Sequence, residues 1–239
     1  MADPAADAPV FLVTGASGAI GAATARMARE TGYRVVVSGR RRETLETFAD
    51  DLGGPAWCLA LAADVTEWSE VRALAEAVAS HFGRLDVAFV NAGISSHTSF
   101  LVDTDAHEEW RSMVLTNVYG AAITAKELLP MLAATRGHLV LTGSVAGRVP
   151  VPGSLYSATK WAITAMGQSI RSEASGTGIR VTVIEPGLVD TPAISPSRRG
   201  EPKLDPADVA RAVLFAVTQP PGVDVNEIVV RPVGQSPYR

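Results

Sequence analysis

The chain is poor in the residues that staple a fold, ligate a metal or carry charge. One cysteine, Cys58, stands among 239 residues, so no internal disulfide can form, and the pattern suits a reducing compartment. Its plain reading is a small apolar filler in a strand. The four histidines are scattered at positions 81, 97, 107 and 138. His107-Glu108-Glu109-Trp110-Arg111 begins like a zinc-protease helix but puts Arg where the second histidine would stand, so no metal site is expected. Charged residues make up only 19% and the formal net charge is −4, which argues against a disordered chain and against nucleic acid as a partner. No apolar run reaches the ~18 residues of a membrane-spanning helix. The first nine residues, rich in Ala, Asp and Pro, lack the basic and apolar regions of a secretory signal. The expectation is a soluble, cytoplasmic protein that binds neither nucleic acid nor membrane.

What the chain does have is 47% hydrophobic residues in a regular alternation of segments. Short continuous apolar runs predict strands at 10–13, 34–37, 57–61, 85–90, 138–141, 180–184 and 227–230. Helical periodicity lies between them, at 18–31, 43–52, 67–82, 154–175 and 208–217. Residues 105–132 carry two helical stretches, with a break expected near 117–120. Strands without polar alternation that alternate with helices indicate a parallel sheet covered on both faces. No linker or repeat divides the chain, so one doubly wound α/β domain over 1–239 is expected, with a flexible N-terminus at 1–8. Residues 188–206, rich in Pro, Ser and Arg and without periodicity, read as a substrate lid.

Between the first strand and the first helix lies Thr14-Gly15-Ala16-Ser17-Gly18-Ala19-Ile20-Gly21. Glycines at 15, 18 and 21 let the backbone turn tightly and approach a pyrophosphate whose charge then faces a helix N-terminus. The second strand ends in Ser38-Gly39-Arg40-Arg41-Arg42, with no acid before Glu43. An acid there would bind the ribose 2′-hydroxyl of NAD, whereas arginine suits a 2′-phosphate; NADP(H) is therefore preferred. An NAD(H) site with incidental arginines is the alternative.

Tyr156 and Lys160 stand four positions apart in a helical segment and share one face. An ammonium close to a phenol favours the phenolate and brings a free pKa of about 10 toward working pH. A hydroxyl at Ser144 could hold a substrate oxygen while Tyr156 moves the proton. Ser144 also sits in a stretch, 142–147, faintly similar to a hydrolase elbow, but no His/Asp partners are identifiable.

In this order, these features resemble the short-chain dehydrogenase/reductase family over essentially the whole chain, which implies a Rossmann-type domain and an oxidoreductase. The motifs are the glycine turn, Asp64-Val65, Asn91-Ala92-Gly93, Asn117, Ser144, Tyr156, Lys160, and Pro186-Gly187 with Thr191. The family's usual Asn-Asn-Ala-Gly reads Val90-Asn91-Ala92-Gly93 here. The resemblance implies that Tyr156 is the general acid and base, that Lys160 lowers its pKa and binds the nicotinamide ribose, and that Ser144 orients the carbonyl. Asn117 would hold a water linking Lys160 to solvent. Gly15, Ser17, Gly18, Ile20 and Gly21 would face the cofactor phosphates, Arg40 and Arg41 the 2′-phosphate, and Asp64 and Val65 the adenine. Asn91, Ala92 and Gly93 would support the central sheet and cofactor, while Pro186, Gly187, Val189 and Thr191 would meet its nicotinamide end. Ser38-Gly39-Arg40-Arg41, the run at 184–189 and the run at 216–220 are similar to an NADP-dependent 3-hydroxy-acid branch that includes serine and 3-hydroxypropionate-type dehydrogenases. A small hydroxy or oxo acid is then the expected substrate, with Arg148, Arg198 and Arg199 as candidate carboxylate partners. A general aldehyde/ketone reductase, or a non-catalytic NADP sensor on the same fold, are the alternatives. The resemblance also implies a homo-oligomer, a dimer or tetramer built on the helices around Asn117 and Tyr156.

Overall fold

The computed structural model describes residues 7–96, 98–102, 106–150, 155–192 and 194–236. Of the N-terminal segment 1–8, residues 1–6 lie outside the described residues, and the Ala8 carbonyl accepts from Arg34 Nε at 3.2 Å. Seven strands form one parallel sheet: β1 (Val10–Thr14), β2 (Arg34–Gly39), β3 (Cys58–Ala62), β4 (Val87–Val90), β5 (His138–Thr142), β6 (Arg180–Pro186) and β7 (Glu227–Val230). Their spatial order is β3-β2-β1-β4-β5-β6-β7. The continuous apolar runs follow from this: the inner strands are buried on both faces, so nothing along them needs to be polar.

The inner strands feed two cores by turns. Phe11 and Val13 join Val35, Val37 and Phe89 under α1 (Ala19–Glu30), α2 (Arg42–Asp51) and α7 (Pro206–Val217). Val10 and Leu12 join Val36, Ala88 and Val90 under α3 (Trp68–Phe82), α5 (Ala121–Thr135) and α6 (Leu155–Glu173). Each fully buried Phe or Leu in these layers contributes about 1.5–3 kcal/mol. Register is fixed at the centre, where β1 pairs with both neighbours, Phe11 facing Val35 on one side and Val87 on the other. At β1 the chain reverses its direction of travel across the sheet, and the crevice at the carboxyl ends of β1 and β4 is where such folds take ligands.

The expected helix break is a different feature. From α4 (His107–Val114) the chain passes through a π-helical turn, Leu115–Gly120, directly into α5. The helix widens without stopping, and Gly120 sits where a Cβ would lie 2.9 Å from the Val65 carbonyl oxygen. The start of α6 expected at position 154 lies outside the described residues. Among the described residues, no helix is long and apolar enough to cross a membrane, and no group of three potential ligands could hold a metal.

Candidate active site

One cavity of about 980 Å³ runs along the carboxyl ends of the strands. Its first end is the glycine turn. Gly15 adopts φ +65°, and a Cβ there would lie 2.8 Å from Ala92 Cα, so this turn and the Asn91–Gly93 loop pack backbone to backbone. A Cβ on Gly21 would run into the Gly15 carbonyl oxygen and lie 2.9 Å from Asn91 Nδ2. Asn91 ties the loops together: its Nδ2 donates to the Thr14 carbonyl (3.1 Å), and its own N–H donates to Thr14 Oγ1 (3.0 Å). Val90, the departure from the family motif, is a buried strand residue of the second core.

Helix α1 begins at Gly18, with no side-chain cap and no acid in its first turn. Its leading N–H groups are therefore left for an anion, and the positive end of the helix dipole points the same way. Ser17, Gly18 and Ile20 are on the cavity wall, while Gly21 lies behind it as a packing glycine. Arg40 lines this end too; Arg41, exposed at the N-cap of α2, stands beside it and is not part of the wall. Among the described residues no carboxylate pairs with either arginine. Asp64 and Val65 complete this end, with Asp64 Oδ1 accepting from the N–H and hydroxyl of Thr66. The donor set, the cradle a Cβ would fill and the unpaired cation fit a phosphorylated dinucleotide.

The second end gathers Ser144, Tyr156 and Lys160, which come from β5's end and α6. Lys160 is 5% exposed, and its Nζ donates to the Thr142 carbonyl at 2.7 Å and sits 5.6 Å from the Tyr156 ring centroid. Burial lowers its pKa from 10.5 to about 8. Burial raises that of Tyr156, and a side-chain hydrogen bond with Ser144 opposes the rise. Ser144 Oγ accepts from the Ala146 N–H (3.1 Å) and donates to the Pro186 carbonyl (3.4 Å). Within the protein alone the Tyr156 pKa thus stays raised by burial, and what opposes the rise is the hydrogen bond with Ser144 rather than the buried lysine.

Asn117 is 1% exposed and lies behind the wall, in the π turn. Its carboxamide accepts from the Ile94 N–H (2.8 Å) and donates to the Ile94 carbonyl (2.9 Å) and to Thr159 Oγ1 (3.0 Å). The wide turn aims this side chain at the loop after β4, and a Cβ on Gly93 would come within 3.3 Å of it. Pro186, Gly187, Val189 and Thr191 line the cavity opposite. The segment that follows is pinned at both ends by a bridge between Val189 and Leu204, with Asp190 N–H donating to the Leu204 carbonyl (2.8 Å).

Three arginines are the sequence's candidates for a substrate carboxylate. Arg148 is not available: its Nε donates to both carboxylate oxygens of Glu185 (2.7 and 2.8 Å), and its other arm meets Glu227. Arg199 is exposed and off the cavity wall, whereas Arg198 is on it, paired with Glu201 at 2.8 Å. Sequence reasoning missed Gln235, whose Oε1 accepts from the Leu188 N–H (3.1 Å) and which lines the cavity from the C-terminal tail. No local pattern marks a glutamine 47 residues distant as a neighbour. It also missed Glu185, although a lone acid at the end of an apolar strand was the available signal.

The seven-stranded parallel frame agrees with the comparisons. The family model for short chain dehydrogenase matches residues 9–202, and the chain belongs to that family of oxidoreductases. An uncharacterized oxidoreductase of Staphylococcus aureus (strain N315) is 41% identical over 232 residues, covering 94% of this chain and 97% of the relative. Among solved structures, an alcohol dehydrogenase from the archaeon Thermococcus sibiricus complexed with 5-hydroxy-NADP superposes with a TM-score of 0.87 at 28% identity, covering 96% and 99% of the two chains. The closed form of a serine dehydrogenase complexed with NADP+ gives 0.88 at 29% identity, covering 95% and 96%.

Proposed function

We propose that the protein is an NADP(H)-dependent oxidoreductase that interconverts an alcohol and a carbonyl on a small or medium substrate. The observation that carries this reading is that Ser144, Tyr156 and Lys160 converge on one wall of a cavity whose other end is an uncapped helix N-terminus with Arg40. The bound cofactor supplies or accepts the hydride. Backbone groups from Gly15, Ser17, Gly18 and Ile20 would hold its phosphates, with Gly21 packing behind them to keep the turn close, Arg40 with Arg41 its 2′-phosphate, and Asp64 and Val65 its adenine side. Asn91, Ala92 and Gly93 shape the centre, and Pro186, Gly187, Val189 and Thr191 the nicotinamide end. Both NADP-bound structural relatives support the choice of cofactor.

In reduction Tyr156 gives its phenolic proton to the carbonyl oxygen, and in oxidation it takes the proton from the alcohol. Ser144 donates to the same oxygen and stabilises the negative charge that develops there. Lys160, charged below about pH 8, holds the phenolate and binds the cofactor's ribose. Asn117 fixes the Gly93–Ile94 backbone beside Lys160 and holds the water through which the lysine exchanges protons with solvent. A non-catalytic NADP sensor would have no need of this buried, tuned group.

Residues 188–206 form the lid, and a 3-hydroxy or 3-oxo acid is the favoured substrate. Arg198 on the cavity wall and the serine dehydrogenase likeness support the acid. A homo-oligomer, dimer or tetramer, is expected through α4–α6, where Tyr119 and Trp161 are 42% and 46% exposed; light scattering after gel filtration reads the mass. The deciding test is an NADPH-consumption screen across aldehydes, ketones and oxo acids, in matched pairs with and without a carboxylate, with NADH in parallel. Consumption that requires Tyr156 supports the reading, and none across the panel overturns it. If neutral substrates match the acids in kcat/KM and Arg198→Ala leaves the ratio unchanged, the acid preference falls.

A further inference from the structure

A second polar cluster lies just outside the cavity and has no part in the chemistry above. Glu185, on β6 one residue before Pro186, is 0% exposed. It accepts from Arg148 and, at 3.0 Å, from Thr164 Oγ1. Arg148 also meets Glu227 on β7, which accepts from Gln168 Nε2 at 3.1 Å. The Glu185 carboxylate is wholly buried while the Arg148 side chain stays 32% exposed, so the pair is a poor way to gain stability: removal of the carboxylate from water offsets much of the attraction. It does fix one geometry, since every member has a directed hydrogen bond.

The elements it joins are those that carry the candidate catalytic group. Tyr156, Lys160, Thr164 and Gln168 stand at four-residue intervals along one stripe of α6, so the reactive pair continues into the cluster. Arg148 closes the short turn that begins at Ser144, Val145–Gly147. That turn lies flat on α6: Ser157 Oγ donates to the Ala146 carbonyl (2.6 Å), and a Cβ on Gly147 would lie 2.6 Å from the Lys160 carbonyl oxygen. A Cβ on Gly143 would meet Glu185 Cγ at 2.9 Å. Turn, helix and strand therefore touch at the cluster with no slack between them.

We propose that Glu185, with Arg148 and Thr164, is a positioning residue that holds the Ser144 turn in register with the helix bearing Tyr156 and Lys160. Its effect on turnover rests on the carbonyl chemistry proposed above; its effect on the turn does not. The experiment is hydrogen exchange by mass spectrometry on the full-length protein, comparing wild type with Glu185→Gln, Thr164→Val and Thr164→Ser, alongside kcat, KM and NADPH affinity. Exchange over residues 143–149 is expected to rise about tenfold in Glu185→Gln and Thr164→Val while β1 and α1 stay unchanged, and Thr164→Ser is expected to restore protection. With that loosening kcat should fall by about tenfold to a hundredfold, since misplacement of a reacting group by about 1 Å is that costly, with NADPH affinity retained. Unchanged exchange at 143–149, or a rise shared equally by β1 and α1, overturns the proposal. If wild type reduces no carbonyl, the functional reading fails, and the exchange data still decide whether the cluster holds the turn.

Discussion

The two ends of the cavity are built by opposite means. Around β1, β2 and the loop after β4, the wall is backbone: glycines, an uncapped helix end and a cation left in solvent. Around β5, β6 and α6 it is made of buried polar side chains, Ser144, Lys160 and, behind them, Glu185. The first end leaves room and free donors, with the Arg40 charge kept in water. The second takes charges out of water, and that is what moves Lys160 to about 8. Binding can be achieved by shape and dipoles alone, but a proton-transfer group needs an environment that alters its acidity.

If that division is right, the largest single effect belongs to the second end and spares the first. Tyr156→Phe removes one hydroxyl and should reduce turnover by about a thousandfold or more, with NADPH affinity and Tm nearly unchanged. A variant that loses nucleotide binding as well would show that the two ends are not separable.

Next comes the burial of Lys160, seen as stability against pH. Below pH 8 the lysine is charged in both folded and unfolded chains, and the folded one carries the burial penalty. Between about 8 and 10.5 it is neutral when folded and still protonated when unfolded, so stability rises with pH in that window. Relative to Lys160→Met, the wild type should gain about 3 kcal/mol from pH 7 to above 10.5 in urea unfolding. A flat difference would mean the lysine is solvated in the folded protein.

At the first end a methyl group should suffice. Gly21→Ala places a Cβ against the Gly15 carbonyl and 2.9 Å from Ala16 Cα, and should lower stability by about 1–3 kcal/mol and weaken nucleotide binding. Gly200→Ala, with nothing within 4 Å, is the control and should change stability by less than about 0.5 kcal/mol. The smallest effect is the most selective: Arg40→Asp should raise the NADPH Kd by about tenfold, equivalent to about 1.4 kcal/mol, and leave NADH binding alone. Equal losses for both cofactors would remove the arginine from 2′-phosphate recognition.

The sequence was legible where a residue's role depends on its near neighbours. Apolar runs at 10–13 and 138–141 became β1 and β5 because strands buried on both faces need no alternation. Tyr156 and Lys160 were readable as one group because four residues is one helical turn. The π turn was read as a break, since Asn117 and Gly120 are poor helix formers in any helix; only the contact of Gly120 with Val65 shows why a wide turn was kept. Arg148 was offered to the substrate because its partner Glu185 lies 37 residues away, on another strand. Long-range ion pairing leaves no periodic trace.

The bridge between Val189 and Leu204 has one more consequence. Because the two ends of this segment meet in one bridge, the scaffold sees little more than the two anchor positions, whatever the length of chain between them. The entropy of closing such a loop grows only slowly with its length, by about 0.6 kcal/mol for each doubling. Insertions or replacements between 190 and 203 should therefore be tolerated by the scaffold, and if the proposed lid role holds, substrate preference could change through one short stretch of chain while Ser144, Tyr156 and Lys160 stay where they are.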